Sequence, residues 1–505
     1  MQRSLAQTSP VNPRDCRAKS RSLYTGPVTR LLVISILCAS SAGLAIPKAQ
    51  TPAQPGAIVL SPCRVPDFKG DARCGVLDVP ENPSKPEGRR LSIAVAVIPA
   101  VTQPALADPI VVLMGGPGED AITAAGLFAE QYAALRQNRD LLLIDQRGAG
   151  RSGALSCDLY SYENPAASLR DVFPPAAVKR CAQRLRARAD LTQYTYDHFA
   201  SDLEQVRRAL GYGSLNLSAG SYGTRAAQVY VRAYPQSVRT MYLGSVVPLD
   251  AANPLPFAKT AQTALEYLLS GCAADAACHA AFPDLRDELR DISARLDSGA
   301  VRVAVPGRTG TVPLFRGRVA EWMRSKLYRP KSASILPWVI HRAYEGDWSP
   351  VVDALLEDAK ATDGALSLGL FFSITCNEDV AFVQEKDITP ATARTFLGDY
   401  RVRQQQAACE PWPRAPLPKE YRVPVQSPVP TLFVSGDADG GTPLWYKEHV
   451  APGFSHRAEL VSKGQGHTEW SDCISRLYQA LVITGAVSGL EPSCGAVPGP
   501  PFKLR

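Results

Sequence analysis

The 505-residue sequence contains no block of like charges, no heptad pattern and no internal repeat at solenoid spacing. These absences exclude a coiled coil, a repeat array and a polyelectrolyte tail. No Cys-x-x-Cys pair occurs and the six histidines are scattered, so nothing calls for a zinc site. The apolar stretch over residues 31–39 falls well short of the roughly 20 residues that a membrane-spanning helix needs. Charged residues make up only 20% of the chain against 45% hydrophobic, a balance that excludes wholesale disorder. The 42 prolines outnumber the 37 glycines without any collagen-like period, which points to many fixed turns.

The net charge of +7 is not a nucleic-acid signature, because it is unevenly placed. Residues 1–45 hold six basic side chains against Asp15 alone, which leaves only +2 for the rest. This basic stretch, the apolar run Leu31–Ala39 and the small residues up to Ala45 follow the order of a secretory signal peptide over 1–45. Cys38 follows Leu37, where a lipoprotein signal wants a small residue, so lipid attachment is disfavoured. Ten cysteines remain beyond the leader, an even number that reads as disulfides in an exported chain, periplasmic or secreted. Pairing neighbours closes the cheapest loops: Cys63–Cys74, Cys157–Cys181, Cys272–Cys278, Cys376–Cys409 and Cys473–Cys494.

Apolar β-branched runs over 92–99, 110–114, 140–145, 215–218 and 239–247 predict strands, with helices over 199–210 and 222–234. Buried strands alternating with helices imply an α/β fold, a mostly parallel sheet with helices on both faces. The pattern breaks after Pro248. Residues 250–426 read as a mainly helical insertion with the length of a domain, placed as a lid over the strand ends. Strands return at 431–435 and 457–461, followed by a helix over 469–484. The core thus comprises residues 46–249 and 427–505.

The sharpest local signal is Leu217-Ser218-Ala219-Gly220-Ser221-Tyr222-Gly223, between a predicted strand and a predicted helix. That context is the one a nucleophile elbow requires, and small neighbours let the turn expose Ser221. Ala219 stands where the usual motif has glycine, and its side chain is small enough to keep the turn. A serine at its free pKa needs a base and an orienting acid, which follow it along the chain in the order acid, then histidine. His467 in Lys463-Gly464-Gln465-Gly466-His467 fits the base. Asp439 is preferred to Asp437 as the acid, with Asp250 a third option. His198 and His279 fit exposed helix faces, His341 lies in the insertion, and His449 and His456 fit a capping or solvated turn. The backbone N–H groups of Tyr222 and of Gly116, in Met114-Gly115-Gly116-Pro117-Gly118, are the candidate oxyanion donors. Asp145 and Arg147 read as a salt bridge and turn supporting the site.

These segments resemble the prolyl iminopeptidase and secreted tripeptidyl aminopeptidase branch of the α/β-hydrolases. The resemblance rests on Gly115-Gly116-Pro117-Gly118, the run Asp145-Gln146-Arg147-Gly148-Ala149-Gly150-Arg151-Ser152, Gly220-Ser221-Tyr222-Gly223, and Ser435 to Pro443. It spans residues 110 to 470. It implies a serine exopeptidase acting on peptides with a free N-terminus, and it favours Asp439 as the acid. It also implies acidic anchors for the substrate ammonium, for which Glu378 and Asp379 in Ile374-Thr375-Cys376-Asn377-Glu378-Asp379 are the candidates. Met114 and Glu119 depart from the family pattern beside the oxyanion loop. Triad chemistry needs no metal or cofactor. An esterase or amidase with the same triad is the competing enzyme, and a non-catalytic secreted binding protein the competing class.

Overall fold

The computed structural model describes residues 56–160, 165–307 and 309–505; the leader lies outside them. A nine-stranded sheet organises the chain. In chain order its strands are β1 (Ser61–Cys63), β2 (Ala72–Pro80), β3 (Arg90–Ile98), β4 (Leu106–Leu113), β5 (Arg139–Ile144), β6 (Leu215–Gly220) and β7 (Val238–Gly244). A small separate hairpin, β8 (Arg302–Ala304) with β9 (Thr311–Pro313), precedes the last two sheet strands, β10 (Thr431–Gly436) and β11 (Arg457–Ser462).

The spatial order is β1-β2-β3-β5-β4-β6-β7-β10-β11. The first three strands and β5 pair antiparallel, and from β5 to β11 every pairing is parallel. After β4 the chain moves to β5 on one side, then crosses back to β6 on the other. The strand order therefore reverses at β4, and a crevice opens beyond the carboxyl ends of β4 and β6, where open α/β sheets bind ligands. The loops carrying Gly116 and Ser221 both leave the sheet there.

The alternation of side chains along each strand accounts for two cores, one per face. Val95, Val111, Leu142 and Leu217 enter one core, packed by the helices Tyr196–Ala209 and Gly223–Ala233. Ala96, Val112, Leu143 and Val434 enter the other, closed by the helices Ala125–Gln131 and Asp472–Thr484. The expected strands all form, with ends shifted by a few residues. The antiparallel edge β1–β2 and the hairpin β8–β9 add to what the sequence pattern predicts.

Between β7 and β10 the chain is mainly helical and holds a third core around Leu269, Trp322, Leu336 and Leu355. One helix of this stretch behaves differently. Leu368–Glu378 is apolar on nearly all sides, every residue of it is buried, and Leu370, Phe372 and Ile374 join the first sheet core. The five neighbour cysteine pairs are all disulfide-bonded, and Cys376–Cys409 staples this helix to the helix Tyr400–Cys409. Among the described residues no helix is long and apolar enough to cross a membrane, and no cluster of side chains is grouped to hold a metal.

Candidate active site

Strand β6 delivers its chain into a turn so tight that Ser221 takes a positive φ of 53°, a region that side chains other than glycine seldom enter. The turn is pinned by Ser221 N–H to Gly244 O and by Thr224 N–H to Ser221 O, each 3.0 Å. Two glycines make it sterically possible. A Cβ on Gly223 would stand 2.1 Å from Leu113 O, and one on Gly115 would stand 3.2 Å from the Ser221 Cβ. The elbow is thus wedged against the end of β4, and Ser221 projects over the crevice.

The loop after β11 returns His467 to that serine, with His467 Nε2 2.9 Å from Ser221 Oγ. The other ring nitrogen, Nδ1, lies 2.9 and 3.0 Å from the two oxygens of Asp439. Asp439 also accepts from Gly441 N–H at 2.7 Å, Thr442 N–H at 2.9 Å, Thr442 O–H at 2.6 Å and Ser245 O–H at 2.8 Å. Burial alone would raise this carboxyl. The charge and ring hydrogen bond of His467, with the Thr442 donors, outweigh it and hold the carboxyl below its ordinary value. Asp437 instead accepts Gly464 N–H at 2.7 Å, and Asp250 pairs with His449 at 2.9 Å, so neither reaches the ring of His467.

Two supports escaped the sequence reading. Ser245, just past β7, accepts Thr468 N–H at 2.9 Å through its hydroxyl while donating to Asp439, so it joins the acid to the histidine loop. Tyr328 accepts His467 N–H at 2.6 Å through its carbonyl, and its ring lies 4.9 Å from the imidazole. Position at the carboxyl end of a strand was a signal available for Ser245. Tyr328 is 139 residues from His467 in sequence, and no local pattern links them.

The expected Asp145–Arg147 bridge does not form. Asp145 accepts the N–H groups of Ala121, Ile122 and Arg151 at 2.9–3.0 Å, so it shapes the loop that follows Gly116. Arg147 grips Asp202 with two 2.7 Å bonds, both side chains being buried. Both residues act as supports behind the crevice.

Ser221, His467, Gly116 and Tyr222 line one cavity of about 760 Å³. Gly116 adopts φ 101°, a conformation open without strain only to glycine, beside Gly115, which packs against the serine turn. Glu378 and Asp379 do not line this cavity. They end the buried Leu368–Glu378 helix with no solvent exposure, and their oxygens are already engaged: Glu378 by Tyr196 N–H at 3.1 Å and the Tyr421 hydroxyl, Asp379 by Arg225 at 2.8 Å. The acidic residues on the cavity wall are Glu119, Glu321 and Asp358. Arg324 takes both oxygens of Glu321 at 2.7 and 2.9 Å, and Lys326 holds Asp358 at 3.0 Å. Glu119 sits at the oxyanion loop, where burial raises its carboxyl against the charge of His467, a hydrogen bond accepted from the Gly115 N–H and the charge of Arg329.

The family described as the alpha/beta hydrolase fold matches residues 108–298, the stretch that carries β4, the elbow and the reversal of strand order. The chain has the α/β-hydrolase fold. A second family, described as TAP-like protein, matches residues 394–494 of this hydrolase, the stretch with Asp439 and His467. The hydrolase is 27% identical over 493 residues to the serine protease Hip1 of Mycobacterium tuberculosis, covering 86% of this chain and 90% of that protein. It is 24% identical over 476 residues to the tripeptidyl aminopeptidase of Streptomyces coelicolor, covering 85% and 84%. A proline iminopeptidase of Heyndrickxia coagulans is 26% identical over 137 residues, 27% of this chain and 34% of that protein. The solved proline iminopeptidase of Mycobacterium smegmatis aligns with a TM-score of 0.39 at 16% identity, covering 81% of this chain and 98% of that one. With relatives named as serine protease and aminopeptidase along most of its length, the protein is a serine hydrolase.

Proposed function

We propose that the hydrolase is an exported serine aminopeptidase in which Ser221 is the nucleophile, His467 the general base and Asp439 the acid that orients the imidazole. The observation that carries this reading is the unbroken hydrogen-bond relay from Asp439 through His467 to Ser221 at the cavity wall. His467 Nε2 takes the Ser221 proton as Oγ attacks the scissile carbonyl. The N–H groups of Gly116 and Tyr222 receive the resulting oxyanion, a stabilisation worth roughly 3–4 kcal/mol per donor. His467 then protonates the leaving amine. Water, deprotonated by the same imidazole, releases the acyl group and restores the serine.

Exopeptidase specificity is supported by the shape and charge of the cavity. Residues 250–426 act as a lid, contributing Trp322, Tyr328, Leu366 and Arg401 to the wall, so that only a short stretch of substrate fits inside. The substrate ammonium is met by Glu119, the wall carboxylate without a cationic side chain bound to it, in place of the buried Glu378 and Asp379. Export is supported by the leader-like residues 1–45 together with the five disulfides.

The test is hydrolysis of matched chromogenic peptides with one to three residues before the scissile bond, each with a free or acetylated N-terminus, beside a short-chain ester. Ser221→Ala accompanies every substrate. Cleavage that requires both the free amine and Ser221 is the expected result. Equal turnover of acetylated and free peptides, or ester hydrolysis alone, overturns the aminopeptidase reading and leaves a general serine hydrolase.

A further inference from the structure

The charge balance of the cavity wall under the inserted segment is uneven. Arg318, Arg324 and Arg401 all line the cavity and are only 5%, 6% and 8% exposed. Among the described residues a single carboxylate, Glu321, 4% exposed, lies among them. Arg324 binds both of its oxygens, and Arg401 shares one of them at 3.3 Å. Arg318 uses only its Nε among the described residues, donated to Ser168 O at 2.8 Å. Among the described residues the Nε of Arg401 is buried with no acceptor. The nearby Asp171 does not restore the balance, since Arg170 holds it at 2.7 Å and Gln404 at 3.3 Å. Asp358 is held by Lys326.

Three guanidinium groups thus share one carboxylate in a site largely closed to water, where an unpaired charge is costly. The arrangement is also rigid and close to the reaction. Arg401 stacks on Phe173 at 4.7 Å and Arg324 on Phe257 at 4.8 Å, while Arg324 Nη1 donates to the Tyr328 hydroxyl at 2.7 Å. Tyr328 is the residue whose ring lies against His467, so the cluster stands one aromatic ring from the imidazole. Planar forks held in place by stacking suit a carboxylate, which accepts two N–H groups side by side.

We propose that Arg318 and Arg401, with Arg324 behind them, form an anion subsite that binds a carboxylate of the substrate. The proposal rests on the aminopeptidase reading and adds to it a substrate class, peptides that place an acid under the lid. Two sources carry this chemistry: the side chain of an aspartate or glutamate in the released segment, and the free C-terminal carboxylate of a very short peptide.

The experiment measures kcat/KM of the full chain on free-amine peptide anilides with Glu or Gln at each position of the released segment, and on tetra-alanine as the acid and as the C-terminal amide. A side-chain acid in the subsite gives a Glu-over-Gln preference of about tenfold or more at one position, the range of a charge-assisted hydrogen bond. A C-terminal acid gives the same preference for tetra-alanine over its amide. In Arg401→Gln and Arg318→Gln that ratio collapses through KM, and Arg401→Lys recovers part of it. A purely structural arginine lowers both members of each pair alike and leaves the ratio unchanged, which overturns the proposal. Wild-type ratios near one, with neutral peptides cleaved, also overturn it while the aminopeptidase reading stands. If no peptide is cleaved by protein that a fluorophosphonate still labels at Ser221, both fall together.

Discussion

Arg225 and Asp379 meet at 2.8 Å with neither side chain reaching solvent. Arg225 lies on the helix that begins just after Ser221, and Asp379 ends the buried helix Leu368–Glu378. Tyr222, next to the serine, is drawn into the same network, donating its hydroxyl to Asp379 at 3.2 Å and accepting from Asn253 at 2.9 Å. The residues that read as substrate anchors in the sequence are instead a clamp beneath the elbow. Asp379→Ala is expected to strand the buried guanidinium and cost about 3–5 kcal/mol of stability. Thermal denaturation measures this directly, and a variant melting with the wild type would show that the pair is dispensable.

The choice between the two aspartates after β10 is decidable by kinetics. Asp439→Asn is expected to lower kcat by about 10⁴-fold, because the imidazole loses the acceptor that fixes its tautomer and stabilises its charge. Asp437→Asn keeps an oxygen for Gly464 N–H and is expected to stay near wild type. Comparable losses in the two variants would remove Asp439 from its proposed role.

Glu119→Gln is expected to raise KM for free-amine peptides about tenfold or more while acetylated analogues are indifferent to the change. Burial displaces this carboxyl upward, and only its ionised form attracts an ammonium. KM for the free-amine peptide therefore falls as pH rises through that displaced titration, and the Gln variant lacks this arm of the profile. Steady-state kinetics across pH, with the acetylated peptide as reference, checks both statements.

Glu378 supplies a stability signal of opposite sense to a surface carboxylate. Burial pushes it up to about 8, against the hydrogen bond from Tyr421, the charge of Arg225 and the N–H of Tyr196. Below its ordinary value of 4.5 both folded and unfolded chains hold the proton, and the contribution is fully present. As pH rises toward about 8, the unfolded chain ionises while the folded chain does not, so this contribution is progressively lost. Melting temperatures of wild type and Glu378→Gln between pH 5 and 8 are expected to diverge in that sense, the wild type losing more; parallel curves would contradict it.

The sheet was legible because its strands are buried on both faces and leave apolar runs such as Ile110–Leu113 and Leu141–Ile144, with turn residues between them. Strained or crowded positions also left marks: Gly223, where a Cβ would stand 2.1 Å from Leu113 O, is the glycine that the elbow pattern already encodes. The elbow motif drew attention to Ser221, and the order acid then histidine led from it to Asp439 and His467, with the family resemblance favouring Asp439 over Asp437. What stayed hidden was pairing across long separations. Glu378 and Asp379 look like a polar surface segment until Arg225, Tyr196 and Tyr421 surround them. Arg147 looks paired to its neighbour until Asp202 appears 55 residues away. The arginines around Glu321 come from two helices, Arg316–Lys326 and Tyr400–Cys409, and only packing places them on one wall.

The grip of Tyr328 on His467 bears on how such an enzyme can be re-engineered. The carbonyl of Tyr328 holds the histidine backbone, and Arg329 donates to His467 O at 3.2 Å. The stretch between β7 and β10 is therefore tied to the histidine loop and cannot be exchanged without disturbing His467. A chimera that replaces the stretch between β7 and β10 without this Tyr-Arg step is expected to leave His467, the proposed general base, unanchored, and to lose turnover before any new selectivity could be read.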